Sequence, residues 1–458
     1  MRFSTARSFI TDTCFDGRHQ APVPATEKPA MQWQGRLAPG HTRQNGELEI
    51  GGVRAGELAQ QYGTPLVAID YGVLDAAIAA FNDACEPHGI EVAYAGKALL
   101  LVALARHLKH TPLHLDVCSL GELAAAERAA FPAERMNMHG CGKTDDELDA
   151  AAGGRVGRII VDNLDELRRL AERGNQSRPI ALLLRLNTGI EAHTHEFVRT
   201  SGEESKFGFD PDALPHALDV LRSHPNLRFL GLHAHIGSQI YEQQAFVANA
   251  QALMECAAQC ARAGLASDHV IVGGGFGVQM HPDEPSHLDL GATLKSIAQT
   301  IQDEAERLRI AVPRIGIEPG RALIAHAGTS LYSVMAVKSE FGRPYAIIDG
   351  GVYENPRPAL YDAYHHTVAA SRQSERLAET VVCGRTCEND RLGVAYLPGD
   401  LRAGELIAMC TTGAYTYSMA SNYNRFTRPA VVAVRQGTHR LIARRETIDD
   451  VLRSDCDA

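Results

Sequence analysis

Between about residue 90 and residue 320 the sequence repeats one rhythm, in which a short apolar run is followed by a longer amphipathic run. Amphipathic runs such as 164–174 and 245–264 have helical periodicity. Strands that alternate with helices form parallel sheets. The rhythm favours an α/β fold with a (β/α)8 TIM barrel, and an open doubly wound sheet is the alternative. The eight apolar runs are IEVAYA (90–95), LHLDVCS (113–119), RMNMHG (135–140), RIIVD (158–162), IALLLRLN (180–187), LRFLGLHAHI (227–236), HVIVGGG (269–275) and RIGIEPG (314–320).

After about residue 330 the apolar runs become short, β-branched and bounded by turns, which predicts a C-terminal all-β domain. We expect this domain to be a Greek-key-like barrel. The chain then divides into four parts: a loosely ordered N-terminal extension (1–44), a segment that packs partly with the β domain (45–72), the barrel (73–328) and the β domain (329–458).

Composition excludes several classes of protein. The 458 residues have a formal net charge of −10 and no basic run, so the chain lacks the charge footprint of a nucleic-acid-binding protein. No apolar run approaches the ~20 residues of a membrane-spanning helix, and the N-terminus lacks the apolar core of a secretory signal. The ten cysteines form no CxxC pair. We therefore expect free thiols in the cytoplasm, and no metal site.

Polar residues follow nearly every predicted barrel strand. Active sites of (β/α)8 barrels lie at the C-terminal ends of the strands, so these residues are the candidates for chemistry. A set of this size is difficult to explain by packing alone. Its members are Lys97, Asp116, Ser119, His139, Arg185, His235, Ser238, Gly273, Gly274, Gly275, Glu318 and Arg321.

The glycine run in HVIVGGGFGV has two possible roles. Residues without a Cβ expose backbone N–H groups and let a phosphate approach closely, and barrels often bind phosphate after strands seven and eight. A tight turn is the alternative explanation. Ser238 and Arg321, which also follow late strands, favour the phosphate site.

Lys97 ends the first apolar barrel run, where a buried lysine without a partner would be unusual. A lysine enclosed by apolar walls keeps a free amine that can attack a carbonyl. A lysine, a phosphate site and a carboxylate together predict pyridoxal phosphate (PLP), whose ring nitrogen pairs with an acid. Glu318 is the candidate acid, and a strand-end lysine that reaches solvent is the alternative for Lys97.

The collinear motifs of the chain resemble those of the fold type III PLP-dependent decarboxylases. The resemblance covers about four fifths of the chain, from residue 62 to residue 434. It is carried by AYAGKA, LDVCSLGEL, MHGCGKT, LLRLNTGIEAHTHEFVRTSGEESKFGFD, GLHAHIGSQI, VGGGFGV, EPGRALIAHAG, DGGVYENPRPALYDAYHH, CEND and GAYTYSMASNYN. It implies decarboxylation of meso-2,6-diaminopimelate to L-lysine.

The resemblance also implies roles for single residues. Lys97 would be the Schiff-base lysine, His235 would stack on the ring, and Cys387, supplied by the partner subunit of a homodimer, would be the proton donor. The implied cofactor site comprises Lys97, Asp116, His235, Ser238, Gly273, Gly274, Gly275, Glu318, Gly320, Arg321 and Tyr415. The implied substrate site comprises Arg321, Arg357, Tyr361, Glu388 and Tyr415.

Three alternatives remain open. The substrate could be ornithine, lysine or a carboxylated polyamine, although relatives acting on ornithine usually carry aspartate after the cysteine, where this chain has Glu388. A catalytically dead regulator would lose the lysine or the cysteine, and both are present. A racemase would need a second base at Cα, which the HIGSQ, EPGR and CEND motifs do not favour.

Overall fold

The N-terminal elements form a small sheet and then enter the C-terminal domain. The structure, a computed structural model, describes residues 36–190, 205–280, 288–339 and 342–456, so most of the predicted extension 1–44 lies outside the described residues. An antiparallel sheet of β1 (His41–Gln44), β2 (Glu47–Ile50) and β3 (Val53–Arg54) precedes α1 (Ala55–Tyr62), β4 (Leu66–Asp70) and α2 (Tyr71–Cys85). Asp70 begins α2, because its side chain accepts from the N–H groups of Gly72 and Val73.

Eight parallel strands close into a barrel, and each lies within one of the eight apolar runs identified in the sequence. Closure confirms the (β/α)8 prediction and rules out the open sheet. The strands are β5 (Ile90–Ala95), β6 (His114–Val117), β7 (Met136–Met138), β8 (Arg158–Val161), β9 (Ile180–Leu186), β10 (Leu227–Ala234), β11 (His269–Ile271) and β12 (Arg314–Ile317). The helices are α3 (Val102–Leu108), α4 (Leu120–Arg128), α5 (Asp145–Ala152), α6 (Leu164–Ala171), α7 (Leu214–Ser223), α8 (Gln243–Arg262), α9 (Leu290–Leu308) and α10 (Arg321–Ile324).

Helix α6 illustrates how local sequence defines a barrel helix. Asn163 caps its N-terminus by accepting from the N–H of Glu166, and the side chains of Leu167 and Leu170 face the core. The predicted run 164–174 is longer than α6 because the last residues form a turn toward β9. The predicted run 245–264 corresponds to α8, which is displaced by two residues.

The barrel interior is polar at both ends and contains a small apolar cluster of Ile160, Leu183 and Ile271. Barrel interiors are usually filled by branched apolar side chains. Here Arg158 occupies the N-terminal end and Glu318 the C-terminal end. The large hydrophobic core lies outside the strands, against the helices.

The C-terminal domain is all-β, as predicted. Its elements are β13 (Gly328–Lys338), β14 (Tyr345–Ile348), α11 (Arg357–Tyr361), β15 (Thr367–Ala369), β16 (Leu377–Cys383), β17 (Arg391–Pro398), β18 (Leu406–Cys410), β19 (Ala430–Arg435), β20 (Thr438–Ala443) and α12 (Ile448–Leu452). The strands form a branched nine-stranded sheet in the order β17-β16-β14-β13-β4-β19-β20, with β18 pairing to β13 and β15. This differs in detail from the expected Greek-key-like barrel, because the long β13 pairs at one end with β4 and β18 and at the other with β14.

Two features join this sheet to the barrel. Strand β4, which precedes the barrel in sequence, pairs with both β13 and β19. The loop after β18 returns to the barrel, where the N–H of Tyr415 donates to the carbonyl of Ala98 at 2.9 Å. Gly413 permits this approach, since a Cβ there would lie 2.0 Å from the carbonyl oxygen of Ile324. Among the described helices, none combines the length and the hydropathy needed to cross a bilayer.

Candidate active site

A cavity of about 150 Å³ lies at the C-terminal mouth of the barrel, where the β domain covers it. Residues of both parts line it. From the barrel these are Ala95, Lys97, His235, Ser238, Gly275, Phe276, Glu318, Gly320, Arg321 and Ala322, and from the β domain Arg357, Tyr361, Tyr415 and Met419. The folded chain therefore brings together most of the residues predicted from the strand ends and from the C-terminal motifs.

Lys97 follows β5 in a short 3₁₀ turn, Gly96–Ala98. Gly96 allows the turn to pass close to the next strand, because a Cβ would lie 2.6 Å from the carbonyl oxygen of Asp116. The expectation that Lys97 is enclosed by apolar walls is wrong for this structure. Ala98 and Leu99 are buried, but the turn carries the Lys97 side chain out of that wall, and it is exposed in the cavity.

Glu318 is buried after β12 and is held by two imidazoles. The Oε2 atom accepts from His233 Nε2 at 2.9 Å, and Oε1 lies 3.2 Å from His139 Nε2. Burial alone would raise the pKa of Glu318, but the two histidines hold that pKa well below its ordinary value. Glu318 is therefore a carboxylate. Oε1 is buried without a well-aligned hydrogen bond, so it keeps acceptor capacity for a donor in the cavity.

The two histidines differ in charge. Burial lowers the pKa of His233 to about 4, so this ring is neutral and donates its Nε2 proton. Burial opposes the charge of His139, but Glu318 and Asp116 raise its pKa to about 9. One ligand atom from each of His139, His233 and Glu318 lies within 4.8 Å of the others. The His233 Nε2 atom directs its proton at the carboxylate, so it has no lone pair to offer a cation.

His235 forms one wall of the cavity. Its Nδ1 accepts from the N–H of Gly274 at 3.2 Å, which places the ring proton on Nε2. Burial, followed by the charges of Lys97 and Arg185, holds the pKa of His235 well below its ordinary value. A neutral, oriented imidazole is suited to pack against an aromatic ring.

The glycine run, which contacts His235, forms a further corner together with Ser238 and Arg321. Gly274 passes so close to β12 that a Cβ would lie 2.1 Å from the Glu318 carbonyl oxygen, and a Cβ on Gly275 would lie 2.4 Å from the Gly237 oxygen. The Ser238 Oγ accepts from Arg321 Nη2 at 3.2 Å. Backbone without side chains beside a hydroxyl and a guanidinium provides the donors that a phosphate group requires.

Two guanidinium groups and two tyrosines form the β-domain side. The Arg321 Cζ lies 4.7 Å from the centre of the Tyr415 ring, and the Arg357 Cζ lies 5.2 Å from that of Tyr361. Burial, followed by the charge of Arg321, lowers the pKa of Arg357 to about 9. The Arg357 Nε is buried without a hydrogen-bond partner among the described residues. Two adjacent cations, together with the unused Nε donor of Arg357, are suited to a carboxylate ligand.

Some predicted residues lie elsewhere. Cys387 and Glu388 are exposed outside the cavity, where the N–H of Cys387 donates to Asn424 Oδ1 at 3.0 Å and Glu388 accepts from the hydroxyl of Tyr423. Asp116 lies below the cavity rather than in its wall. Ser119 is the N-cap of α4 and accepts from the N–H of Glu122.

Three functional candidates were missed in the sequence, namely His233, Asn137 and Arg158. Each lies on a barrel strand with its side chain in the interior. His233 contacts Glu318 directly, whereas Asn137 donates to Asp116 and Arg158 donates to Asn137. Side chains at i and i+2 of a strand share one face. His233 is two residues before His235 and Asn137 two residues before His139, so this spacing was the available signal.

The residues present fit PLP. Lys97 supplies an amine, Glu318 a buried carboxylate with unused acceptor capacity, and His235 a flat wall. The glycine run, Ser238 and Arg321 offer a phosphate corner in the same cavity. This donor set matches the aldehyde, the ring nitrogen, the ring face and the phosphate of the cofactor.

Comparisons with known proteins agree with this fit. Residues 73–325 match the family model described as "Pyridoxal-dependent decarboxylase, pyridoxal binding domain". A diaminopimelate decarboxylase of Actinosynnema pretiosum subsp. auranticum is 42% identical, with 94% of this chain and 97% of the relative covered. That of Bacillus subtilis (strain 168) is 40% identical, over 91% of this chain and 97% of the relative.

Solved structures show the same relationship. A crystal structure of diaminopimelate decarboxylase from M. jannaschii superposes with a TM-score of 0.85 at 27% identity, over 92% of this chain and 98% of that chain. The PLP cofactor and the decarboxylase class predicted from the sequence are thereby confirmed. The chain belongs to the pyridoxal-dependent decarboxylase family, in the group of the diaminopimelate decarboxylases.

Proposed function

We propose that this protein decarboxylates meso-2,6-diaminopimelate to L-lysine and CO2, the last step of lysine biosynthesis. The carrying observation is that the guanidinium groups of Arg321 and Arg357 line the same cavity as Lys97. The substrate has an amino acid group at each end. One end must react at Lys97, and the far carboxylate needs a cationic site, which Arg357 provides. Ornithine and lysine lack a carboxylate at the far end.

PLP, when bound, accepts the electron pair that the breaking Cα–carboxylate bond releases. Lys97 would hold the cofactor through its amine. Glu318, an ionised and buried carboxylate, would pair with the ring nitrogen, and His235 would pack against the ring. Arg357, with its low exposure and unused Nε, orients the substrate by its distal carboxylate. In the overall reaction one carboxylate leaves Cα as CO2, and one proton is added to Cα in its place.

The substrate proposal predicts a simple selectivity. Purified protein loaded with PLP should release CO2 rapidly from meso-diaminopimelate and form L-lysine, whereas L-ornithine and L-lysine should react at least about a hundredfold more slowly, because they leave the buried guanidinium of Arg357 unpaired. Parallel assays of CO2 with the three amino acids measure this.

A variant separates recognition from chemistry. Arg357→Gln should raise KM for meso-diaminopimelate much more than KM for L-lysine, since only the former has the distal carboxylate. Fast release from ornithine or lysine by the unmodified protein, with none from meso-diaminopimelate, would overturn the substrate assignment and leave the cofactor site unaffected.

We also propose that the active site is completed by a second copy of this chain. Cys387 and Glu388 belong to the family's CE motif but are exposed outside their own cavity. Leu360, an apolar side chain that is 50% exposed, lies in α11, the helix that carries the cavity residues Arg357 and Tyr361. Tyr423, 39% exposed, bonds Glu388. In a homodimer with shared sites, Cys387 of one copy would protonate Cα in the other.

Mixed dimers test the shared site. Lys97→Ala and Cys387→Ala chains are each expected to be inactive, but random re-association should restore roughly a quarter of normal activity, because half the dimers then contain one intact site of two. Lys97→Ala mixed with Glu318→Gln is the matched control and should restore nothing, since both residues come from the same barrel. Absence of complementation in the first mixture would contradict sharing.

A cytoplasmic location is the remaining proposal. The nine cysteines within the described residues are free thiols, which suits a reducing compartment. Fractionation of cells that produce the protein would test this, and recovery in an oxidising compartment would contradict it.

A further inference from the structure

A chain of polar contacts crosses the barrel interior from its N-terminal end to Glu318. Arg158 Nε donates to Asn137 Oδ1 at 2.6 Å, and Asn137 Nδ2 donates to Asp116 Oδ1 at 2.8 Å. Asp116 Oδ1 lies 3.5 Å from His139 Nε2, which lies 3.2 Å from Glu318 Oε1. All five residues are buried. Barrel interiors are normally apolar, so a continuous polar chain requires a reason.

The direction of each hydrogen bond in this chain follows from donor chemistry. Arginine can only donate, so the Asn137 atom that faces Arg158 is the carbonyl oxygen. The amide nitrogen of Asn137 must then face Asp116, which accepts. Asp116 is therefore stabilised as a carboxylate, although burial and the charge of Glu318 raise its pKa.

The N-terminal end of the chain is itself fixed. Arg158 also pairs with Glu91, and contacts the ring nitrogens of His269 at 2.9 Å and His114 at 3.1 Å. Four neighbours therefore restrict the guanidinium. A fixed Arg158 fixes the Asn137 amide, and this in turn holds Asp116 in place beneath His139.

We propose that Asp116, oriented by Asn137 and Arg158, is a positioning residue that keeps His139 protonated, so that His139 acts as a fixed cation on the Glu318 carboxylate. Asp116 itself does not line the cavity, so its effect on the cofactor passes through His139. This role of Asp116 belongs to the cofactor site and does not depend on which amino acid is the substrate.

The charges around His139 favour this state. Two carboxylates lie within 3.5 Å of its Nε2, and the neighbouring His233 is neutral at 5.2 Å between ring centres. The groups that face this region are Asp116, Glu318, Glu122, His233, Arg185 and Lys97.

The first test reads the charge of His139 directly. Full-length holoenzyme with histidine labelled at Cε1 would be titrated by NMR, and the His139 signal identified by its loss in His139→Gln. In the unmodified protein His139 should stay cationic through pH 8, because its pKa is about 9. In Asp116→Asn the titration should move down by about 1 to 3 pH units, the effect of removing one adjacent charge.

The second test asks whether Asp116 acts through His139. The PLP dissociation constant would be measured for Asp116→Asn, His139→Gln and the double variant. If the effect passes through His139, the double variant should bind PLP within about twofold of His139→Gln. Additive losses, or an unchanged His139 titration in Asp116→Asn, would overturn the proposal.

Two further variants keep the tests interpretable. Glu166→Gln is the matched control: Glu166 is a buried carboxylate, paired with Lys143 at 2.8 Å, that does not contact the polar chain. It should lower stability but leave both the His139 titration and the PLP constant unchanged. If Asp116→Asn fails to fold, Asn137→Leu should shift the His139 titration in the same direction, and no shift would overturn the proposal.

Discussion

Replacing Lys97 with alanine is expected to lower CO2 release from meso-diaminopimelate at least about ten-thousandfold. The variant lacks the amine that would attach PLP covalently and take part in proton transfer. Lys97 lines the same cavity as Glu318 and Arg321. Its side chain is exposed, so the free energy of unfolding should change by less than about 0.5 kcal/mol. Turnover and a denaturant titration on the same preparation measure both effects.

Lys97→Arg is the control for charge. It keeps a cation at this position but offers no nucleophilic amine, so it should be as inactive as alanine. Activity near that of the unmodified enzyme in either variant would contradict the assignment of Lys97. Loss of activity together with a collapse in stability would instead mean that the residue is structural.

Replacing Glu318 with glutamine is expected to lower kcat about a hundredfold to a thousandfold, the size of effect seen when one electrostatic partner of the reacting group is removed. Glutamine keeps the shape and can still accept from His233, but it carries no negative charge. Loss of that charge also removes one of the two anions that raise the pKa of His139. The measurement is kcat at saturating substrate and PLP.

The pH dependence of stability gives a second measure of Glu318. Its pKa in the folded protein lies well below its ordinary value, so its ionisation stabilises the fold above the unfolded pKa, and this contribution is lost as pH falls through the folded value. In Glu318→Gln that acid-side loss should be smaller than in the unmodified protein. Glu318→Asp, which keeps the charge on a shorter side chain, should retain more of it; identical acid profiles in all three proteins would contradict a depressed pKa.

The sequence predicted the architecture well because periodicity is a local property. Each of the eight apolar runs contains a barrel strand, and the β-branched texture after residue 330 became a sheet. Strand pairing, by contrast, depends on distant partners. Strand β4 lies in segment 45–72, which was expected to pack partly with the β domain, but only the structure shows that it pairs with both β13 and β19.

The same division applies to the site. Lys97, His235, Glu318 and Arg321 could be named from strand ends, since residues at the C-terminal ends of barrel strands share one mouth. The exposure of Lys97 could not, because it depends on the turn after β5. His233 and Asn137 looked like ordinary strand residues, and only the contacts across the barrel distinguish them.

The sequence by itself determined which chemical groups are available and on which strands they lie, because hydrophobic period and chain order are both written locally. Only the tertiary structure decided which groups meet. Closure of the barrel pairs β12 with β5. This pairing brings Glu318 and Lys97 into one cavity, although they lie 221 positions apart in the sequence. The same closure places the His139 imidazole between two carboxylates. The exposure of Cys387 likewise depends on a neighbour that is distant along the chain, because its N–H donates to Asn424.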